Sequence, residues 1–254
     1  MLQAVRLTKR YNGLTAVQEI SLTIPAGCVT GYLGPNGSGK STTVKMLVGL
    51  LQPSSGDILF EGVPLQDRSL EYKARLGYVP EEPLLYPYLT APEYLRLVGR
   101  LRGMPDAPLA EKIESLLRLL TLQPHRHLPL SAFSKGMRQK VLIIAALLHD
   151  PDVLIFDEPL SGLDVTAMLV FRHLLATLAE AGKAILYSSH VLEVVEKICS
   201  RVVILDRGRI VADDEVSTLR AMMRSPSLEH VFTQLVSRED AAAVAREIVA
   251  VMRA

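Results

Sequence analysis

Gly34-Pro35-Asn36-Gly37-Ser38-Gly39-Lys40-Ser41 fits the spacing G-x-x-x-x-G-K-[ST], by which a backbone loop and one lysine hold a row of phosphates. Three glycines within the loop let the chain curl so that successive N–H groups point inward at phosphate oxygens. The helix expected to open after the loop, through Thr42, adds the positive end of its dipole. Lys40 supplies a point charge to the β- and γ-phosphates, and the Ser41 hydroxyl is placed to ligate Mg²⁺. A glycine turn that binds nothing would require neither the Lys-Ser pair nor its register. The loop therefore predicts a site for a nucleoside triphosphate.

A second group of chemically capable residues follows the run Val153-Leu154-Ile155-Phe156, which ends in Asp157-Glu158-Pro159. Four apolar residues read as a buried strand, and ligands of an open parallel sheet bind at the carboxyl ends of its strands. Beside a phosphate loop, Asp157 can hold Mg²⁺ through water while Ser41 binds it directly. Glu158 points elsewhere and is suited to orient and deprotonate an attacking water. Alone, the pair would read equally well as an acidic strand-end turn; with the phosphate loop it reads as the second half of one site.

The elements that must position these residues are legible in outline. Before the loop, Cys28 to Leu33 is an apolar, β-branched run that reads as a buried strand, and Thr42 to Leu51 follow with helical spacing and no proline. Residues 1–33 suggest short strands at 4–7, 16–17 and 20–24, broken at Pro25-Ala26-Gly27. A turn at 52–56, a hairpin near 57–65 and a strand at 76–80 come next. Residues 91–122 turn helical with a break at Gly103-Met104-Pro105, and 136–149 read as one apolar helix. From 165 to 212 helix and strand alternate, which predicts a parallel sheet covered on both faces. The tail from Ser227 reads as amphipathic helix, with a capping pattern at Ser237-Arg238-Glu239-Asp240.

Composition agrees with this and removes other classes. Across 254 residues, 28 basic side chains face 27 acidic ones, so no field for nucleic acid is expected. Hydrophobic residues make up 49% and aromatics 5%, with no Trp, an aliphatic profile suited to an α/β protein rather than a β-sandwich. Cys28 and Cys199 lie in apolar segments far apart and are expected to be free buried thiols rather than a disulfide. The first residues do not read as a signal peptide, and the longest apolar stretch, Val141 to Leu148, is too short to span a bilayer, so a chain soluble by itself is expected.

With both halves of the site in view, residues 1–215 resemble the ATP-binding subunits of ABC transporters, whose motifs occur here in family order. Gly34 to Ser41 matches the Walker A loop and Val153 to Glu158 the Walker B strand. Leu160-Ser161-Gly162-Leu163-Asp164 corresponds to the D-loop. Tyr11 takes the place of the adenine-stacking aromatic, and Ser188-Ser189-His190 that of the switch histidine, whose ring the family directs at the γ-phosphate and the Glu158 region. Ser134-Lys135-Gly136-Met137 sits where the family carries its Leu-Ser-Gly-Gly-Gln signature. Taken singly, Tyr11 could be an edge-strand aromatic, His190 a structural cap and Ser134 a helix N-cap. The resemblance implies that Ser134 to Met137 address a γ-phosphate on a partner subunit, so that two ATP-binding chains, taken as a homodimer, complete each site.

Two departures carry information. The first signature Gly is Lys135 and the Gln is Met137, and the family's Gln near the metal is replaced by Glu81, which is still expected to ligate the metal or its water. Both, together with the tail phrase Ser227-Leu228-Glu229-His230-Val231-Phe232, look like the branch that exports drugs, lipids or glycans through a separate six-helix permease. That resemblance implies a peripheral place on the cytoplasmic side of the membrane. Leu84-Leu85-Tyr86-Pro87-Tyr88-Leu89 lies where the family receives the permease, and its tyrosines and prolines make an exposed apolar patch there plausible.

The expected fold is an α/β P-loop NTPase core of the ABC type with an N-terminal antiparallel β-subdomain, a helical subdomain near 85–150 and a short C-terminal helical tail. The division is an ATPase domain over 1–220 and a tail over 221–254. The expected activity is hydrolysis of ATP, with Mg²⁺, to drive transport. Rival readings are a soluble ABC ATPase of translation or DNA repair, and a P-loop kinase or GTPase. The first usually carries two ATPase domains or a long coiled coil, and a GTPase needs an Asn-Lys-x-Asp segment; neither feature is present.

Overall fold

In a computed structural model that describes residues 1–236 and 241–252, the chain runs through β1 (Leu2–Tyr11), β2 (Leu14–Ile24), β3 (Cys28–Leu33), α1 (Lys40–Leu47), β4 (Ser55–Phe60), β5 (Val63–Pro64), α2 (Ser69–Ala74) and β6 (Leu76–Val79). It continues as α3 (Ala91–Leu101), α4 (Asp106–Leu119), α5 (Lys135–Leu147), β7 (Val153–Asp157), α6 (Val165–Glu180), β8 (Ala184–Ser188), α7 (Leu192–Ile198), β9 (Arg201–Asp206) and β10 (Arg209–Glu215). The helices α8 (Val216–Met222), α9 (Leu228–Val236) and α10 (Ala241–Met252) complete it.

Two sheets organise these elements. The six-stranded sheet has the order β10-β9-β3-β8-β7-β6, parallel except for β10, and the four-stranded antiparallel sheet has the order β2-β1-β4-β5. Every residue of β7 and β8 is buried, as continuous apolar runs in a parallel sheet require. One face of the six-stranded sheet shares a core with α1 and the antiparallel sheet, through Tyr32, Val44, Leu47, Phe60 and Tyr72. The other face is covered by α5 to α9, with Leu142, Phe171, Leu175, Val195 and Leu228 in the core. A third core, built on Leu95, Leu109, Ile113, Phe133 and Val141, holds α3 and α4 against α5. Of α3, Thr90 caps the start through a reciprocal bond with Glu93.

The N-terminal strands differ from the expectation. The short pieces at 4–7, 16–17 and 20–24 are parts of two long strands, β1 and β2, whose pairing shifts register between Ala4 and Arg10. Arg6 and Glu19 take left-handed backbone there, at φ 46° and 48°. Such bulges interrupt the alternation of inward and outward side chains, which is why the pattern broke into fragments. The helix α2 lies in a stretch where the periodicity announced nothing. Cys199 is buried as expected, but Cys28 is only half-buried; both are free, and Cys28 Sγ lies 3.0 Å from Ser200 Oγ. The capping pattern at 237–240 lies outside the described residues. Among the described residues no helix is long and apolar enough to cross a membrane.

Candidate functional site

Four neighbouring parallel strands end at one edge of the sheet, and each delivers one part of the site. β3 runs into the glycine loop, β8 into Ser188-Ser189-His190, β7 into Asp157-Glu158, and β6 ends two residues before Glu81. The register places Ser188 opposite both Tyr32 and Asp157, so the loop and the acidic pair flank the β8 end. Residues 124 positions apart in sequence, Leu33 and Asp157, thereby end strands that flank the same β8.

The loop itself is shaped for an anion. Gly37 and Gly39 lie at φ 76° and 105°, backbone that side chains other than glycine rarely adopt. A Cβ on Gly39 would also stand 2.6 Å from the Ala16 carbonyl oxygen. No side chain caps α1, so the N–H groups of its first turn have no side-chain partner. The Ser38 hydroxyl is buried without a hydrogen-bond partner among the described residues. Lys40 Nζ meanwhile donates to the carbonyls of Gly34 and Pro35, at 2.6 and 3.2 Å. A loop with free amides, an orphaned hydroxyl and a lysine folded onto carbonyls fits a polyphosphate, which would take all three.

Opposite the loop stand three carboxylates. Glu81, Asp157 and Glu158, with His190, Ala16 and residues 35–37 and 39–42, line a cleft of about 230 Å³. Burial and the nearby charges of Glu81 and Glu158 push the Asp157 carboxyl up, against the opposing pull of Ser188 and Lys40. Burial lowers the Lys40 ammonium, and the pull of Glu158, Asp157 and Glu81 opposes that shift. Three acids around one half-buried lysine form an unbalanced cluster, which a divalent cation would neutralise; Ser41, Asp157 and Glu81 line the cleft with oxygens that could hold one.

Glu158 is held from two sides. Its Oε1 lies 2.7 Å from His190 Nδ1, and its Oε2 accepts from Ser189 Oγ at 3.3 Å. An ionised carboxylate only accepts, so Nδ1 carries the proton. Ser189 is in turn fixed by the Val191 N–H at 3.1 Å. Glu158 sits at φ 47°, a left-handed conformation that costs about 1 kcal/mol and that turns its side chain away from Asp157's course.

The structure brings Gly34 to Thr42, Glu81, Asp157, Glu158 and His190 together, and leaves two expected groups outside the cleft lining. Tyr11 lies at the far end of β1, exposed, with Lys9 Nζ 5.3 Å from its ring centre; from this hairpin it is Ala16 that reaches the cleft. Ser134, Lys135, Gly136 and Met137 open α5 elsewhere, where the Ser134 hydroxyl caps the helix through the Met137 N–H at 3.2 Å. Sequence reasoning missed Ala16, the grip of Ser189 on Glu158, and Phe232, which lines an adjoining cavity with Gly34, Asn36, Glu81 and His190. None of these has a spacing signal; proximity alone reveals them. The loop 84–89 departs in two residues: Leu84, Tyr86 and Tyr88 are exposed, whereas Leu85 turns inward against two cores and Leu89 is half-buried.

A phosphate loop, a strand-end acidic pair and a histidine-held glutamate on this sheet define a P-loop ATPase. The family model for ABC transporters matches residues 17–161. The chain is 38% identical over 92% of its length to the ABC transporter ATP-binding protein NatA of Bacillus subtilis, covering 95% of that protein. It is 37% identical over 84% of its length to a Nod factor export ATP-binding protein I of Cupriavidus metallidurans, covering 70% of it. A solved ATP-binding subunit of an ABC transporter superposes with a TM-score of 0.87 at 33% identity, over 92% of this chain and 99% of that one. The cassette MJ0796, solved as a dimer with ADP and Pi, shares the fold at a TM-score of 0.76 and 23% identity, over 85% and 98% of the two chains. The chain belongs to the ATP-binding subunits of ABC transporters, and it binds and hydrolyses ATP.

Proposed function

We propose that this chain is the ATPase of an exporter, working as a homodimer against a separate permease on the cytoplasmic face of the membrane. The observation that carries the reading is the 2.7 Å contact of His190 with Glu158 at the mouth of a cleft that also holds Lys40, Ser41, Asp157 and Glu81. In this reading residues 34–42 bind the phosphates, Tyr11 receives the adenine, and Ser41, Asp157 and Glu81 hold Mg²⁺. Bound there, the ion would neutralise phosphate charge. Glu158 Oε2 takes the proton of a water whose oxygen bonds to the γ-phosphorus as the bond to ADP breaks, and His190 keeps the carboxylate aimed. Ser134 to Met137 complete the site of the second copy, a role that their position outside this chain's own cleft favours. Residues 1–220 form the ATPase domain, with 85–150 as its helical part, and 221–254 the tail.

Export is favoured by relatives whose names state it, the Nod factor export proteins and the linearmycin resistance protein LnrL of Bacillus subtilis. The exposed Leu84, Tyr86 and Tyr88 offer the permease an apolar surface. The test is co-expression with the cognate permease: the chain should move to the membrane fraction, and Lys40→Ala should remain there without hydrolysing ATP. A chain that stays in the cytosol with that permease present would return the soluble ABC ATPase as the better account.

A further inference from the structure

The tail phrase Ser227-Leu228-Glu229-His230-Val231-Phe232 opens α9, whose apolar residues recur at 228, 231, 232 and 235, one face of a helix. Leu228 and Val231 are buried in the core that also holds Val195 of α7, with Phe232 and Leu235 packed against it. One carboxylate ties this helix to α7. Glu196 Oε2 accepts from the Leu228 N–H at 3.1 Å, and Glu196 Oε1 pairs with Arg220 of α8 at 3.0 Å. Arg220 in turn donates to the Pro226 carbonyl at 2.6 Å, so the chain entering α9 is held from both sides. α7 is itself pressed onto β3: a Cβ on Gly31 would stand 2.7 Å from Val195 Cγ1.

α7 starts at Leu192, directly after the segment that grips Glu158. Ser189 Oγ accepts from the Val191 N–H and donates to Glu158, while the Val191 carbonyl accepts from the N–H groups of Val194 and Val195 at 3.1 and 3.2 Å. The segment and the first turn of α7 are therefore one hydrogen-bonded unit. The His190 side chain is 71% exposed, so burial does not fix its aim at Glu158. Phe232 lines, with Ser189, His190 and Leu192, the cavity that adjoins the cleft. We propose that Phe232 is a positioning residue for hydrolysis: α9, clamped to α7 by Glu196, seats its ring at the Ser189-His190 segment and so keeps Glu158 aimed. The ring fills space into which the segment would otherwise shift. The tail phrase thereby acts on the chemistry through α7, and the inference rests on the reading of Glu158 as the base.

The test measures single-turnover and steady-state hydrolysis of Mg-ATP by the full chain carrying Phe232→Ala, Phe232→Leu or Glu196→Ala, each with the thermal midpoint recorded. Phe232→Ala should lower kcat by about three- to thirtyfold, less than the roughly hundredfold cost of an ångström's misplacement. KM should stay within about twofold, since the phosphates are bound by residues 34–42. Phe232→Leu, which restores apolar bulk, should recover most of the rate. In a His190→Ala background the aim is already lost, so Phe232→Ala should cost little more there. A ring that served only stability would lower the rate by the same factor in both backgrounds. Should Phe232→Ala fold poorly, Glu196→Ala loosens α9 from α7 at a half-buried position and carries the same comparison. An unchanged kcat in Phe232→Ala, or losses that multiply with His190→Ala, would overturn the inference. Glu158→Gln run beside them separates the two levels. If it is inactive, any failure is confined to Phe232; if it turns over like the wild type, the base assignment falls and this inference with it.

Discussion

Replacing Glu158 by Gln isolates the chemistry from the architecture, because the structure predicts that nearly every contact survives. The amide oxygen can still accept from His190 Nδ1, now 2.7 Å from Oε1, and the amide nitrogen can donate to Ser189 Oγ once that hydroxyl rotates. Gln fits the left-handed backbone at 158 no better and no worse than Glu, so stability should move little. What disappears is the ability to accept a proton, an effect of about 10²–10⁴ in rate. At about 1.4 kcal/mol per tenfold, the barrier rises by about 3–5 kcal/mol. ATP affinity should be kept or improved, since one of the three carboxylates around the phosphates loses its charge. The assay is steady-state phosphate release beside equilibrium binding of ATP, with the thermal midpoint as a control on folding. A variant that binds ATP, keeps its midpoint and hydrolyses within threefold of wild type would remove Glu158 from the role of base.

Three further outcomes follow from particular contacts. Arg75 pairs with Asp152 at 2.5 Å and forks onto Glu61 at 2.8 and 3.0 Å, tying the antiparallel sheet to the start of β7, so Arg75→Ala should lower the thermal midpoint by roughly 2–5 °C, and Arg75→Lys, without the planar fork, should not restore it; an unchanged midpoint would show the bridge to be idle. His149 is held down to about 4 from 6.5, first by burial and then by Arg102, with Nε2 on the Leu76 carbonyl. The folded state thus binds fewer protons, so its stabilising effect is complete above pH 6.5 and is lost as pH falls toward 4; the wild-type minus His149→Gln stability difference should decline across that window, and a flat difference would refute it. Tyr86→Glu with Tyr88→Glu should abolish recruitment by the permease while leaving ATP binding intact, as both rings are exposed and distant in role from the phosphate loop; a doubly charged chain that still sediments with the permease would place docking elsewhere.

The sequence by itself determined the parts whose physics is local. Gly34 to Ser41 could be read because a phosphate loop is made by backbone curl, a helix start and one lysine within eight consecutive residues. Asp157 and Glu158 could be read because a continuous apolar run must be a buried strand and its end must face the sheet edge. The long bulged strands β1 and β2 were illegible in length, since bulges erase the alternation by which a strand is recognised. The resemblance directed His190 at the Glu158 region, but only the tertiary structure decided the second grip on Glu158, from Ser189, the entry of Ala16 into the cleft and the inward turn of Leu85. The same holds for the Glu196–Leu228 contact, which joins residues 32 positions apart on two different elements. Spacing along a chain specifies what one turn or one strand can do; strand order and packing specify which of those capabilities meet.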